Sequence, residues 1–219
     1  MAIEAVTFDV GGTLIKPWPS VGEIYARIAS ENGAGGISAA IVEKCFAEAW
    51  RGEKNFNYKR DDWEKLVRRV FDGLSGSIES FFPALYEYFA RARAWHLFDD
   101  VIPSLDRLTS QGMQLAVVSN WDERLRPLLK DLELESYFDA IIVSSEVGFH
   151  KPSPIIFEHA AQKLGRRPEM ILHVGDSRGL DFMGAKAAGF QALQLSRGEK
   201  VDEGGERISS LVEIEPGRF

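Results

Sequence analysis

The stretch Ala5-Val6-Thr7-Phe8-Asp9-Val10-Gly11-Gly12-Thr13-Leu14 decides how the rest of the chain is read. It sits in an apolar run from Ile3 to Val10 whose near-continuous hydrophobicity is that of a strand covered on both faces. Asp9 closes the strand and two glycines follow, where a chain leaving a sheet turns sharply and backbone can come close to a ligand. Working outward, four more runs of this kind occur: Gln114 to Ser119, Ala140 to Ser144, Met170 to Val174 and Gln191 to Leu195. Amphipathic segments of helical length lie among them, Val101 to Gln111, Arg124 to Leu132, Pro154 to Leu164 and Asp181 to Ala188. Strands alternating with helices predict an α/β fold, a doubly wound parallel sheet.

The first strand breaks the rhythm, because the next begins about a hundred residues later, far beyond an ordinary crossover. From Ser20 to Arg93 the apolar positions recur at helical spacing: Val21, Ile24, Tyr25 and Ile28, then Ile41, Cys45, Phe46 and Ala49, then Trp63, Leu66, Val67 and Val70. Asn32 to Gly36 and Asp72 to Gly76 punctuate the pattern with turn residues. The reading is an all-helical insert of four helices over residues 17–95, with a core built from residues 1–16 and 96–219. The glycine- and charge-rich stretch Arg197 to Arg207 reads as a loose loop.

A chain of 219 residues, 45% hydrophobic and 11% aromatic, can bury a core without disulfides, and its composition excludes disordered and collagen-like classes. The net charge of -7 disfavours nucleic acid and anionic lipid as partners, since both need a basic surface. No apolar segment approaches the ~20 residues of a membrane span. With Cys45 as the single cysteine and no basic-then-apolar leader, the expected location is the cytoplasm.

Ligands of open α/β sheets bind at the carboxyl ends of the strands, so the residues delivered there carry the chemistry. The first strand delivers Asp9, a candidate nucleophile. The second ends at Ser119-Asn120, whose hydroxyl and amide suit phosphoryl oxygens. The loop after the third carries Lys151 within Gly148-Phe149-His150-Lys151-Pro152, a cation for phosphate charge. The fourth leads into Gly175-Asp176-Ser177-Arg178-Gly179-Leu180-Asp181, two carboxylates around a short turn suited to a hard cation, with Mg2+ the natural choice. Any one of these has an ordinary explanation, since an aspartate at a strand end is commonly a helix cap. All four at successive strand ends make one site. Outside them the plain readings hold: His173 as a satisfied core histidine, Asp122 as a helix cap, Trp18 as packing in a proline-flanked turn, and Phe81, Phe82, Tyr86, Tyr88, Phe89 and Trp95 as the core of the insert.

On these motifs the chain resembles the haloacid dehalogenase-like superfamily of hydrolases, across all but its last ~20 residues. The resemblance implies a Rossmann-like core with a C1-type cap formed by the insert. It implies that Asp9 attacks phosphorus to form an aspartyl-phosphate, and that Ser119 and Lys151 are the second- and third-motif residues, binding phosphate with Asn120. It also implies that Asp176 holds Mg2+ with Asp9 and the Gly11 carbonyl, and that Asp181 orients water or Lys151 from behind. Its substrate would be a small phosphorylated molecule. One departure stands out: phosphatases of this family carry a second aspartate two residues after the nucleophile, as general acid and base, and this chain has Gly11 there. Two other readings stay open, a catalytically impaired member that binds a phosphorylated small molecule or a protein partner, and a dehalogenase- or phosphonatase-like hydrolase.

Overall fold

The computed structural model describes residues 2–53, 56–74, 77–198 and 205–219. The chain divides into two compact units, Met1–Lys16 with Leu97–Phe219, and Pro17–His96.

The first unit is built on a six-stranded sheet. Its strands are β1 (Ala5–Phe8), β4 (Gln114–Ser119), β5 (Ala140–Val143), β6 (Ile171–Gly175), β7 (Gln191–Leu195) and β8 (Arg207–Ile208), in the order β5-β4-β1-β6-β7-β8. Every pairing is parallel. Between them run helices α5 (Val101–Ser110), α6 (Leu125–Asp131), α7 (Ser144–Val147), α8 (Pro154–Leu164) and α9 (Gly184–Ala187). β1 is fully buried between β4 and β6, with Phe8 opposite Val117 on one side and Val174 on the other. That register brings Asp9, Ser119 and Asp176 out at one edge of the sheet. Ala5, Ala116, Val118 and Ile171 on the strands pack with Ile156, Phe157, Ala160 and Leu164 of α8 into one hydrophobic core. The strand order reverses at β1, with β4 and β5 on one side and β6 and β7 on the other, which is the switch point where such sheets bind ligands.

The second unit carries α1 (Val21–Glu31), α2 (Ala39–Arg51), α3 (Arg60–Val70) and α4 (Phe82–Tyr88), with Ser20 capping the first through its hydroxyl. Short strands β2 (Ile15–Pro17) and β3 (Trp95–Leu97) lie where the chain passes between units and form a separate two-stranded sheet. Phe81, Phe82 and Tyr86 are buried with Ile24, Tyr25 and Val67, so these aromatics are core, as expected. Cys45 packs against the same cluster and is only partly buried. Trp18, expected to be packed away, is 51% exposed, its ring 5.2 Å from that of His96.

Two segments differ from the sequence expectation. The helix expected from Asp181 to Ala188 is a π-helical turn, Arg178–Met183, that runs into α9. Its cause is local: Phe182 N donates to Ser177 O, a five-residue closure, beside the ordinary bond from Asp181 N to the same carbonyl. The second is the tail. Residues 199–204 of the expected loose loop lie outside the described residues, but the segment from Arg207 onward is anchored. Ile208, Leu211 and Ile214 are buried, and Asp100 gathers the tail by accepting from Ser210 Oγ at 2.6 Å, Leu211 N at 2.8 Å and both terminal nitrogens of Arg197 at 2.9 and 3.0 Å. Arg197 also lies over the Phe98 ring and donates to Thr13 O at 2.6 Å.

Burial alone would raise the Asp100 pKa, yet the Arg197, Ser210 and Leu211 donors hold it below its ordinary value. A depressed carboxyl contributes stability that is complete above its unfolded value near ~3.9 and is lost as pH falls through the folded value. Asp100→Ala is expected to lower stability at pH 7 by about 2–3 kcal/mol, because it strands a guanidinium and an amide. Urea unfolding from pH 7 to pH 3 should show the gap between wild type and variant narrowing toward the acid end.

Candidate active site

The site grows out of the ends of three strands and one loop, all within the first unit. β1 hands over Asp9, β4 ends on Ser119, the loop after α7 brings Lys151, and β6 runs into Asp176 and the π-helical turn with Asp181. Asp9, Ser119, Lys151 and Asp181 are all nearly inaccessible.

Their contacts form one network. Lys151 Nζ donates to Asp9 Oδ1 at 2.6 Å and to Asp181 Oδ1 at 2.5 Å, and Ser119 Oγ donates to Asp9 Oδ1 at 3.1 Å. The loop bearing the lysine is tied to the end of β4: Lys151 N donates to Asn120 Oδ1 at 2.7 Å, and Asn120 Nδ2 donates to Lys151 O at 3.0 Å. The Asn120 amide thus ties that loop to the end of β4. Asp181 Oδ2 accepts from Ser177 N at 2.9 Å, and its Oδ1 is also 3.2 Å from His173 Nε2. These bonds close the turn after β6 over Gly175, where a Cβ would collide with the Asp181 carboxyl.

The electrostatics are lopsided. Burial opposes the charge on Lys151, but Asp181 and Asp9 outweigh it and hold the ammonium firmly protonated. Burial likewise opposes the charge on Asp181, and Lys151 with His173 overcomes it, so this carboxyl is ionised. Asp9 is pushed the other way, upward, by burial first and by Asp181 as well, with Lys151 pulling against them. Asp176 belongs to an exposed residue whose carboxyl turns inward over Gly12; burial, Asp9 and Asp181 push its pKa up to about 7. Asp9, Asp176 and Asp181 each present an oxygen within 4.8 Å of the others. Three carboxyls share one ammonium, and the upward push on Asp9 and Asp176 follows from that crowding together with burial; the all-oxygen donor set suits a hard divalent cation.

The glycines after β1 play different parts. Gly12 sits at φ +80°, and a Cβ there would collide with the Asp176 carboxyl, so only glycine lets the two loops meet. Gly11 is not in that region of backbone space, and a Cβ there would reach ordinary contact at 3.4 Å with the Trp121 ring. A side chain is therefore admissible at position 11. Asp122, expected as a helix cap, accepts from Arg124 N at 3.0 Å and pairs with the Arg124 side chain at 2.6 Å, while Trp121 lines the loop bearing Gly11.

All the residues singled out in the sequence thus converge: Asp9, Gly11, Ser119, Asn120, Lys151, Asp176 and Asp181 occupy one edge of one sheet. His173 is the satisfied core histidine expected, buried with both ring nitrogens engaged, and one of its partners is Asp181 of the network. The available signal was its place two residues before Gly175 in β6, on the strand that delivers Asp176.

Comparison with known proteins agrees with this geometry. Residues 3–189 match the family model of haloacid dehalogenase-like hydrolases. The mouse protein called haloacid dehalogenase-like hydrolase domain-containing protein 3 is 34% identical over 92% of this chain and 85% of its own length. The glyceraldehyde 3-phosphate phosphatase of Methanopyrus kandleri is 30% identical over 91% of this chain and 87% of its own. Among solved structures, a HAD phosphatase from Thermococcus onnurineus superposes with a TM-score of 0.70 at 27% identity, covering 96% of this chain and 95% of that one. The chain belongs to the haloacid dehalogenase-like hydrolases.

Proposed function

We propose that this hydrolase is a magnesium-dependent phosphatase of a small phosphorylated metabolite, working through an aspartyl-phosphate at Asp9, with the helical insert as its C1-type cap. The observation that carries the reading is the shared oxygen of Asp9, held at once by Lys151 Nζ and Ser119 Oγ at the carboxyl end of the central strand. Two relatives named as phosphatases add to it. The net charge of -7 supports a small-molecule substrate over a nucleic acid, and the reaction is assigned to the cytoplasm. Among the described residues no helix is long and apolar enough to cross a membrane.

In this mechanism an Asp9 oxygen forms a bond to phosphorus while the bond from phosphorus to the leaving oxygen breaks, its electron pair departing with that oxygen. Water then attacks phosphorus, the bond from phosphorus to the Asp9 oxygen breaks with its electron pair returning to the carboxylate, and the water proton leaves with inorganic phosphate. Lys151 and Ser119 steady the charge on the transferring group, and positioning with electrostatics supplies most of the catalysis of such a transfer. Asp9 and Asp176, with the Gly11 carbonyl, would hold Mg2+, which when bound neutralises phosphoryl oxygens and carboxylate charge. Asp181 is engaged by Lys151, His173 and Ser177 and acts from behind. Position 11 offers no proton donor, so the leaving group departs as its own anion. Acyl and aryl phosphates meet that condition, and alkyl phosphates do not.

Three outcomes test this. Asp9→Asn should abolish turnover of acetyl phosphate, and a beryllium fluoride complex of wild type should place the beryllium on an Asp9 carboxylate oxygen; crystallographic density elsewhere refutes the nucleophile. Calorimetric titration of Mg2+ should show Asp176→Ala losing more affinity than Asp181→Ala, whose loss should stay within about 10 to 100-fold; equal or reversed losses refute the ordering. Gly11→Asp should raise alkyl phosphate hydrolysis by about 10²-fold or more relative to acyl phosphates, since general acid catalysis is typically worth that much. Gly11→Ala is its control, since a Cβ there reaches ordinary contact with the Trp121 ring. An aspartate variant that gains no more on alkyl esters than the alanine variant would favour a phospho-ligand-binding protein over an enzyme.

A further inference from the structure

His173 is completely buried in the middle of β6, yet both of its ring nitrogens are engaged by polar groups: Nδ1 lies 2.9 Å from Thr7 Oγ1 on β1, and Nε2 lies 3.2 Å from Asp181 Oδ1. Thr7 and His173 are directly paired across the two strands. The ring stands edge-on to Phe157 of α8 at 5.1 Å, which fixes its plane. An ionised Asp181 oxygen can only accept, so Nε2 carries a proton in either charge state of the ring, and in the neutral form Nδ1 accepts the Thr7 hydroxyl. A donor is therefore held rigidly from the sheet interior against the same oxygen that holds Lys151. Asp181 Oδ1 receives Lys151 from one side and His173 from beneath, while Oδ2 receives Ser177 N.

We propose that His173 is a positioning residue of the active site: anchored by Thr7, its Nε2–H orients Asp181 so that Lys151 is held against Asp9. This goes past the phosphatase reading in that the buried chain Thr7, His173, Asp181, Lys151, Asp9 is a property of the protein itself; only its consequence for turnover rests on that reading. Without the imidazole donor, Asp181 Oδ1 keeps one partner in place of two, and the carboxyl gains freedom to turn about its remaining bonds to Ser177 and Lys151. The lysine then loosens, although it lies on a different loop.

The test uses two amides of different reach. A glutamine side chain matches the imidazole out to Nε2, so His173→Gln retains a donor toward Asp181; an asparagine side chain ends near the position of Nδ1, so His173→Asn leaves Asp181 without it. The readout that needs no turnover is the rate at which Lys151 in the folded protein is acetylated by acetic anhydride, followed by peptide mass spectrometry. We expect His173→Asn to speed this labelling about tenfold, in line with losses at residues that orient a site from behind. His173→Gln should stay within about threefold of wild type. Thr7→Val, which frees the far side of the ring, should move labelling in the same direction by less and serves if the asparagine variant does not fold. Equal labelling of the two amide variants, or wild-type labelling in both His173→Asn and Thr7→Val, overturns the proposal, whatever the thermal stabilities. Acetyl phosphate turnover should fall in the same order; if wild type turns over no phosphate while labelling follows the prediction, the phosphatase reading fails and the positioning role stands.

Discussion

The Lys151 ammonium, buried between Asp9 and Asp181, is the interaction on which the site depends. Removing an ammonium from water has a penalty of several kcal/mol unless it is closely paired and hydrogen-bonded, and here two carboxylates at 2.5 and 2.6 Å answer it. Each partner comes from a different part of the chain: Asp9 from the central strand, Asp181 from the π-helical turn after β6, Lys151 from the loop after α7. Holding them together therefore draws in the reciprocal amide bonds of Asn120, the Ser177 bond to Asp181 and the His173 support from beneath. Removal of the lysine would leave Asp9 and Asp181 facing each other with no cation between them.

The same cluster crowds three carboxyls around one ammonium. Asp176 is driven up to about 7 chiefly by burial and by Asp9. Such an arrangement is unfavourable for the fold taken alone, and its persistence fits the general trade between stability and a preorganised site. Gly12 shows how closely the loops are brought together, since its positive φ and the neighbouring Asp176 carboxyl exclude any side chain there. Gly11, one residue earlier, is under no such constraint. A Cβ there would meet the Trp121 ring at ordinary contact distance.

The tail illustrates a different division of labour. Its composition reads as loop, with glycines and charges from Arg197 to Arg207, and its anchoring comes from Asp100, a hundred residues away in sequence and adjacent in space. Periodicity over so few residues carries no signal for β8, a strand two residues long, nor for the buried contacts of Leu211 and Ile214.

What the sequence by itself determined was the parallel α/β core, the helical insert and the set of residues at the strand ends. Apolar runs of strand length and the 3.6-residue spacing of Ile24, Leu66 and their neighbours are local properties of a chain, and the order Asp9, Ser119, Lys151, Asp176, Asp181 follows from strands ending at one edge. Only the tertiary structure decided who touches whom. That Asn120 clamps the lysine loop, that Trp121 borders Gly11, that Asp181 faces Lys151 and that His173 supports it from within the sheet all depend on strand register and rotamer. These are relations between residues far apart in the chain, and a pattern of residue types along one strand holds no information about the side chain that meets it from another.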